Sequence, residues 1–133
     1  MKRRSGGHAD DAVLSLRLPP RPEAAHAARR RLREMDMRPE TLDTVTLLVT
    51  ELVTNAMRHA NVPADAEIEV EVRRRGSTVR VDVRNEGDSF SWRRRDPRPT
   101  QPGGLGLILV DRMSSRWGFS GGSGTRVWLE VAT

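Results

Sequence analysis

The chain has 133 residues, of which 36% are hydrophobic, and its 23 lysines and arginines against 18 acidic residues give a net charge of +5. This length and apolar content allow one domain with a small core. There is no cysteine, which excludes a disulfide framework, a thiolate metal site and a cysteine nucleophile. No apolar run reaches the ~18–20 residues of a membrane span and no apolar block follows the basic start, so we expect a cytoplasmic domain without a membrane partner.

The basic residues do not predict a direct nucleic-acid interface. Lys2 is the single lysine, and arginines cluster near 29–33, 73–75 and 93–95, while the acidic residues are spread through the whole chain. A nucleic-acid binder concentrates its basic residues on one face and interleaves aromatic side chains, whereas aromatic residues make up 4% of this chain. We therefore expect the arginines to lie on solvated faces and in loops.

The first half of the chain predicts a polar tail, a strand and two helices. Leucines alternate with polar residues before Pro19 and Pro20, which is typical of a strand, and the segments that follow carry apolar residues at helical spacing. The second helix has the clearest pattern, because its apolar residues form one stripe. The predicted boundaries are a disordered tail over 1–11, then a domain over 12–133 that begins with a strand over 13–18 and helices over 23–37 and 39–60.

The second half predicts a hairpin, an irregular segment, a helix and a closing strand. Valines alternate with charged residues on both sides of Gly76, so rows of Glu and Arg are expected to form a salt-bridged outer face. The segment 87–103 has no periodicity and is expected to be a functional lid or a disordered segment. The remaining predictions are a helix over 105–117, a turn over 118–124 and a strand over 127–131. This order predicts an α+β two-layer sandwich with helices on one face of a mixed or antiparallel sheet.

Glu51 and Asn55 are the first candidate site residues. They stand one helical turn apart on the second predicted helix, so their side chains are neighbours at the edge of its apolar stripe, beside Leu48. An amide oxygen is a neutral, hard ligand for Mg²⁺, and a carboxylate accepts a proton from water or a hydroxyl. A metal–phosphate site and a capping or solvated pair are equally consistent with these two residues alone.

Three glycine-containing segments lie downstream. Asn85–Gly87 ends a predicted strand, Gly103–Leu107 opens a predicted helix, and Gly122–Thr125 precedes the last strand. Glycines at a helix start let the backbone approach a ligand, while the free N–H groups and the helix dipole attract phosphate. An ordinary joint between a loop and a helix is the alternative. The pattern is neither a P-loop nor a dinucleotide fingerprint, since no Gly-Lys-Ser/Thr follows and no strand leads directly into it.

Taken together, these segments resemble one family. Glu51–Ala60, with the sequence ELVTNAMRHA, is similar to the N-box of the GHKL ATP-binding superfamily, which includes gyrase, heat-shock chaperone and histidine-kinase ATPase domains. Asn85–Gly87, Gly103–Leu107 and Gly122–Thr125 resemble its three glycine boxes in the same order and spacing. The resemblance covers residues 12–133 and is strongest to anti-sigma-factor serine/threonine kinases of actinobacterial type. It implies the Bergerat-type ATP-binding fold.

The resemblance also implies roles for individual residues and two cofactors, ATP and Mg²⁺. Glu51 matches the general base of the kinases, and Asn55 matches the Mg²⁺ ligand. Gly87 matches the glycine that lets adenine approach the backbone, and Thr125 lies near the adenine water network. The segment that matches the phosphate-binding box contains Gly103, Gly104, Leu105 and Gly106.

Asn85 departs from the family pattern. The family reads adenine with an aspartate, whereas Asn85 offers one neutral oxygen and an NH₂ group that needs its own partner. The next glycine of this box is replaced by Ser89. The departure implies ATP binding that is weaker, less selective for adenine, or lost.

The function implied by the resemblance is that of a regulatory serine/threonine kinase. Such a protein sequesters a sigma factor and phosphorylates an anti-sigma-factor antagonist protein. A homodimer is also implied, and the exposed helix over 23–37 is one candidate surface for it. The alternative is a catalytically weak or inactive domain of the same fold that acts as a protein-binding regulatory module. Asn85 favours this alternative, whereas Glu51 and Asn55 disfavour it.

Overall fold

The computed structural model of the protein describes residues 12–59, 66–85, 104–120 and 124–133, with the backbone alone for 58–59, 104–107 and 125. Three helices and five strands lie in these ranges. In chain order they are β1 (Ala12–Leu18), α1 (Glu23–Leu32), α2 (Pro39–His59), β2 (Ile68–Arg75), β3 (Thr78–Asn85), α3 (Gly104–Met113), β4 (Arg116–Ser120) and β5 (Thr125–Ala132).

The strands form one antiparallel sheet in the order β1-β2-β3-β5-β4. β2 and β3 are joined by the tight turn at Gly76 and Ser77. Gly76 has a φ of 59°, in the left-handed region that short hairpin loops use and that glycine adopts without steric cost. β5 lies between β3 and β4, so the last strand of the chain is central. The predicted α+β sandwich is confirmed.

One face of the sheet carries the core, because alternate residues of four strands turn their side chains under the helices. α2 packs against α1, α3 and strands β2, β3 and β5, and thus forms the centre of the helical layer. Its stripe Val45, Val49, Leu52 and Ala56 is at most 1% exposed. The buried strand residues are Leu14, Leu16, Leu18, Ile68, Val70, Val72, Val79, Val81, Val83, Val127, Leu129 and Val131.

The prediction of a helix as far as Met37 is wrong, because α1 ends at Leu32. The N–H groups of Glu34 and Met35 donate to the carbonyls of Arg31 and Leu32 at 3.0 Å, which tightens the chain into a turn. Met35 is still buried against the core. Its apolar spacing therefore mimicked another helical turn in the sequence.

The predicted helix over 105–117 and turn over 118–124 are also wrong. α3 ends at Met113, and Arg116–Ser120 forms β4, the strand that was missing from the prediction. The Ser114 hydroxyl donates to the carbonyl of Val110, and the N–H of Ser115 donates to the carbonyl of Glu130 at 2.7 Å, so the chain leaves the helix and joins the sheet. The helical spacing of Trp117 arose because the half-buried ring packs against the same core from β4.

Two predictions fall outside the described residues, namely the disordered tail over 1–11 and the lid or disordered segment over 87–103. Among the helices that the structure describes, none is long and apolar enough to cross a membrane.

Candidate functional site

α2 holds Glu51 and Asn55 at the edge of the core. Asn55 is 3% exposed, whereas Glu51 is partly exposed one turn earlier. The position follows from the apolar stripe, because burial of Leu48 and Leu52 fixes the rotation of the helix about its axis. A carboxylate and a carboxamide therefore lie side by side, with their Cβ atoms about 5–6 Å apart.

The carboxamide of Asn55 makes no hydrogen bond with any residue that the structure describes. Its oxygen and nitrogen are not among the fully buried side-chain atoms that lack a partner, so the carboxamide keeps access to solvent at the edge of the core. A ligand or a metal ion can reach this amide without replacing a hydrogen bond to a described residue. Asn55 is therefore a candidate binding residue on α2.

The chain connections bring further candidate residues toward the C-terminal half of α2. β2 follows α2 and starts at the end of the sheet where β3 finishes at Asn85, and Asn85 pairs in register with Thr125 at the start of β5. Asn85 is 6% exposed, so its carboxamide is also largely removed from water. The sheet thus places a second buried amide at the end toward which α2 runs.

α3 begins within the glycine-rich segment. Gly104, Leu105 and Gly106 form its first turn, as expected for glycines that open a helix. The chain leaves the C-terminal end of α3 beside Glu130, because the N–H of Ser115 donates to the carbonyl of Glu130 and β4 starts there. The first-turn N–H groups of such a helix have no intrahelical acceptor and suit an anion.

The far end of α3 is fixed to the sheet. The Trp117 indole N–H donates to an Asp111 carboxylate oxygen at 3.0 Å, across the joint between α3 and β4. This contact holds the helix at its C-terminus. Gly87 and Gly103, which complete the predicted set, lie outside the described residues.

The other face of the sheet is open and charged, and most of its described ions are paired, whereas Arg84 has no ion pair with the described residues. The Asp82 carboxylate accepts hydrogen bonds from Arg126 at 2.6 and 2.9 Å and from Arg80 at 3.2 Å. Glu130 contacts Arg116 at 3.1 Å and Arg80 at 3.4 Å. The hydrogen bond to Asp82 raises the pKa of Arg80 above its ordinary value, since it favours the charged guanidinium.

The salt-bridged face predicted from the sequence is confirmed, and three of its pairs are directly opposite in the register, namely Arg17–Glu69, Arg80–Glu130 and Arg116–Glu130. Between β2 and β3, however, like charges also face each other. Glu71 faces Asp82 across β2 and β3, and Arg73 faces Arg80. Like charges directly opposite are destabilising. The ions pair along a strand or with the next strand instead, as Arg73 does with Glu71 at 3.5 Å.

Trp128 on the open face was not anticipated from the sequence. The guanidinium of Arg80 lies 4.5 Å from its ring centroid and that of Arg116 lies at 5.6 Å, which are cation–π distances. The ring lies over Gly118, where a Cβ would be 2.9 Å from the indole nitrogen. The signal available for this contact was Gly118, which lies directly opposite Trp128 in the register of β4 and β5. That pairing can be read from the sequence only once β4 is recognised as a strand.

A concavity of about 600 Å³ lies on this open face. Because it is separated by the sheet from α2, it does not include the Asn55 region. Its lining residues are Ser15, Leu16, Arg17, Glu69, Val70, Glu71, Asp82, Arg84 and Arg126.

A helical layer on an antiparallel sheet, with an acid–amide pair on the central helix and a glycine-rich helix start, defines an ATPase domain of the histidine-kinase type. The profile of the histidine kinase-like ATPase domain family matches residues 18–131. The chain belongs to this family. No curated protein sequence matches it significantly.

Solved structures show the same fold. The structure of the RsbU and RsbW domains of Rv1364c from Mycobacterium tuberculosis matches with a TM-score of 0.69 and 21% sequence identity. The match covers 91% of the present chain and 32% of the chain in that structure. The histidine kinase domain of the Erythrobacter litoralis EL346 blue-light activated histidine kinase has a TM-score of 0.57 and 21% identity, with 86% and 61% coverage. The present chain therefore spans about a third of the first protein and three fifths of the second.

The described residues fit the nucleotide and metal that this family implies. The amide oxygen of Asn55 is a hard, neutral ligand suited to Mg²⁺, and it has no competing partner among the described residues. Glu51 is close enough along the helix to act on a group bound there. The backbone at the start of α3 supplies N–H donors for phosphate.

Proposed function

We propose that the chain is an ATP- and Mg²⁺-dependent serine/threonine protein kinase of the anti-sigma-factor type. The observation that carries this proposal is the buried Asn55 carboxamide, which has no hydrogen-bond partner among the described residues and lies one turn from Glu51. Membership of the ATPase family supports the nucleotide. The likeness to a chain that includes an RsbW domain supports the regulatory subfamily.

Glu51 and Asn55 have different roles in this proposal. Asn55 holds Mg²⁺ through its amide oxygen, while the backbone of the α3 start, with Gly103, Gly104, Leu105 and Gly106, holds the phosphates. Asn85, Gly87 and Thr125 surround the base. Bound ATP supplies the phosphoryl group. The hydroxyl oxygen of a serine or threonine of the partner bonds to phosphorus as ADP leaves, and Glu51 accepts the proton of that hydroxyl.

The proposed partners are a sigma factor and its anti-sigma-factor antagonist, and the proposed location is the cytoplasm. In this scheme the chain sequesters the sigma factor and inactivates the antagonist by phosphorylating it. A homodimer is part of the same proposal.

Replacing Glu51 with Gln tests the catalytic role. The change keeps the shape and removes the proton acceptor, so transfer of radiolabelled phosphate to a candidate antagonist should fall about 10²–10⁴-fold. ATP affinity should stay within about twofold, since Glu51 acts on the hydroxyl rather than on the nucleotide. Asp43→Asn is the matched control, because this exposed residue lies on the same helix and loses the same charge.

Equal transfer rates for the parent and Glu51→Gln would contradict the catalytic role. If the parent also bound ATP without transferring phosphate, the chain would be a protein-binding module of the same fold.

A further inference from the structure

α1 carries a continuous basic stripe on the face opposite its buried one. Ala24, Ala28 and Leu32 are at most 1% exposed and turn toward α2 and β1. On the other side, the spacing i, i+3, i+4 and i+7 aligns four residues on one outward face. These residues are His26, Arg29, Arg30 and Arg33, and we name them the α1 basic stripe.

The charge of the stripe is not neutralised by the described part of the chain. Arg30 and Arg33 are exposed and form no ion pair with any described residue. Arg29 donates to Nδ1 of His26 at 2.8 Å, a contact that leaves its positive charge in place. The neighbouring Glu34 lies beside the stripe and is paired with Arg31 at 3.1 Å.

This arrangement differs from the open face of the sheet, where arginines are also frequent. There, the carboxylates of Asp82 and Glu130 each meet two guanidiniums. On α1 the exposed carboxylate of Glu23 stands one turn before His26, at the end of the stripe, and it forms no ion pair with the arginines of the stripe. The guanidiniums of the stripe are therefore available for bidentate bonds to carboxylates of another molecule.

We infer that the α1 basic stripe is a docking surface for an acidic helix of a partner protein. The stripe is about 10 Å long, which is the distance covered by seven residues of a helix. Carboxylates at i, i+3 or i+4, and i+7 on a packed helix repeat at the same spacing and meet the arginines one to one.

Other occupants fit less well. A lipid bilayer would have to receive the apolar face of α1, but that face is buried in the core. Nucleic acid is usually met by a wider basic surface with aromatic side chains, and the stripe has neither. A second copy that met the same stripe around a twofold axis would place like charges together. The stripe is therefore not the self-complementary dimer surface expected for this helix.

The test is the binding of a synthetic acidic helical peptide with glutamates at i, i+4 and i+7, measured by fluorescence anisotropy without nucleotide. A peptide of the same composition with its glutamates distributed around the helix is the ligand control. Arg29→Gln/Arg30→Gln/Arg33→Gln should bind the first peptide about tenfold more weakly than the parent, as expected for three exposed ion pairs. Glutamine has a helix propensity close to that of arginine, so α1 is retained.

Arg75→Gln/Arg84→Gln/Arg112→Gln is the protein control. These three arginines are exposed, lie on other elements and form no ion pair with the described residues, so the net charge falls equally. This variant should lose less than about twofold in affinity, and Arg29→Lys/Arg30→Lys/Arg33→Lys should retain most of the binding because it keeps the charge.

Equal losses in the two glutamine variants, or equal binding of the two peptides, would overturn the inference and leave only a general attraction to acidic molecules. Selective loss of binding to duplex DNA or to phosphatidylserine vesicles, with peptide binding unchanged, would overturn it in favour of those ligands. Nucleotide is absent from every arm, so the result does not depend on the proposed kinase activity.

Discussion

The two faces of the sheet differ in how their polar groups are paired. On the open face, Asp82 and Glu130 each contact two arginines, and Trp128 lies between two guanidiniums. Beneath the helices, Asn55 is 3% exposed, and none of the described residues forms a hydrogen bond with its carboxamide. Most described ions of the charged face are thus paired within the sheet, whereas the Asn55 carboxamide has no partner among the described residues.

This difference separates stabilising polar residues from a binding residue. Paired ions at the surface need no ligand, and each contributes little to stability because solvent screens it. The Asn55 amide makes no hydrogen bond with a described residue and keeps access to solvent, so it is available to a ligand. The number of charged residues is therefore a poor guide to function in this chain. Whether a polar group has a partner within the protein is a better guide.

Truncation of Leu48 should show that the stability of the domain depends on the apolar side chains buried between the helices and the sheet. Leu48 is fully buried next to Glu51 and Asn55, so Leu48→Ala should lower the free energy of unfolding by about 2–5 kcal/mol in urea titrations. Leu47→Ala is the control, since Leu47 lies next to Leu48 on the same helix but is 37% exposed, and its truncation should cost less than about 1 kcal/mol. Similar losses from both changes would mean that α2 is rotated from the described position.

Removal of the charge of Asp82 should have a smaller effect. Asp82→Asn weakens the contacts with Arg80 and Arg126, and we expect a loss of about 1 kcal/mol that shrinks in high salt. Glu69→Gln is the control, because its contact with Arg17 is longer, at 3.8 Å, and more exposed. It should cost less than about 0.5 kcal/mol in the same thermal unfolding experiment. A larger loss from Glu69→Gln would show that the Asp82 network is not the main ionic contribution.

Substitution of Asn85 should change the affinity of the protein for ATP. Asn85→Asp provides a charged acceptor for the N6 hydrogens of adenine, so ATP should bind about fivefold more tightly, a gain of about 1 kcal/mol that burial of the carboxylate reduces. Parallel titrations with ATP and GTP check this expectation. Unchanged affinity for ATP, together with equal affinity for GTP, would indicate that residue 85 does not read the base.

The sequence predicted the helical layer and four of the five described strands because their patterns are local. Alternating valines define β2 and β3, and the apolar stripe of α2 follows the helical period along its length. β4 was missed because Trp117 and Met113 stand at helical spacing although they lie on different elements. That ambiguity is resolved by pairing with β5, which is a contact between distant parts of the chain.

For the candidate site, the sequence predicted the neighbouring positions of Glu51 and Asn55 from the helical period alone. It did not predict that the Asn55 carboxamide has no hydrogen-bond partner among the described residues, because that depends on every group packed around it. The diagonal pairing of Arg126 with Asp82 was also beyond the sequence, since it follows from the register of β3 and β5. The proposed roles of Asn85 and the α3 glycines remain predictions.

The most direct test of the central claim is calorimetric titration of Asn55→Ala with ATP in the presence of Mg²⁺, with Thr54→Ala as the neighbouring control. We predict that Asn55→Ala loses most of the affinity, by more than about tenfold, because the metal loses its amide ligand. Its stability without nucleotide should stay within about 1 kcal/mol of the parent, since the change removes no hydrogen bond to a described residue and leaves only a small cavity at the edge of the core. Binding of Mg²⁺ and ATP by Asn55→Ala as tightly as by the parent would contradict the account.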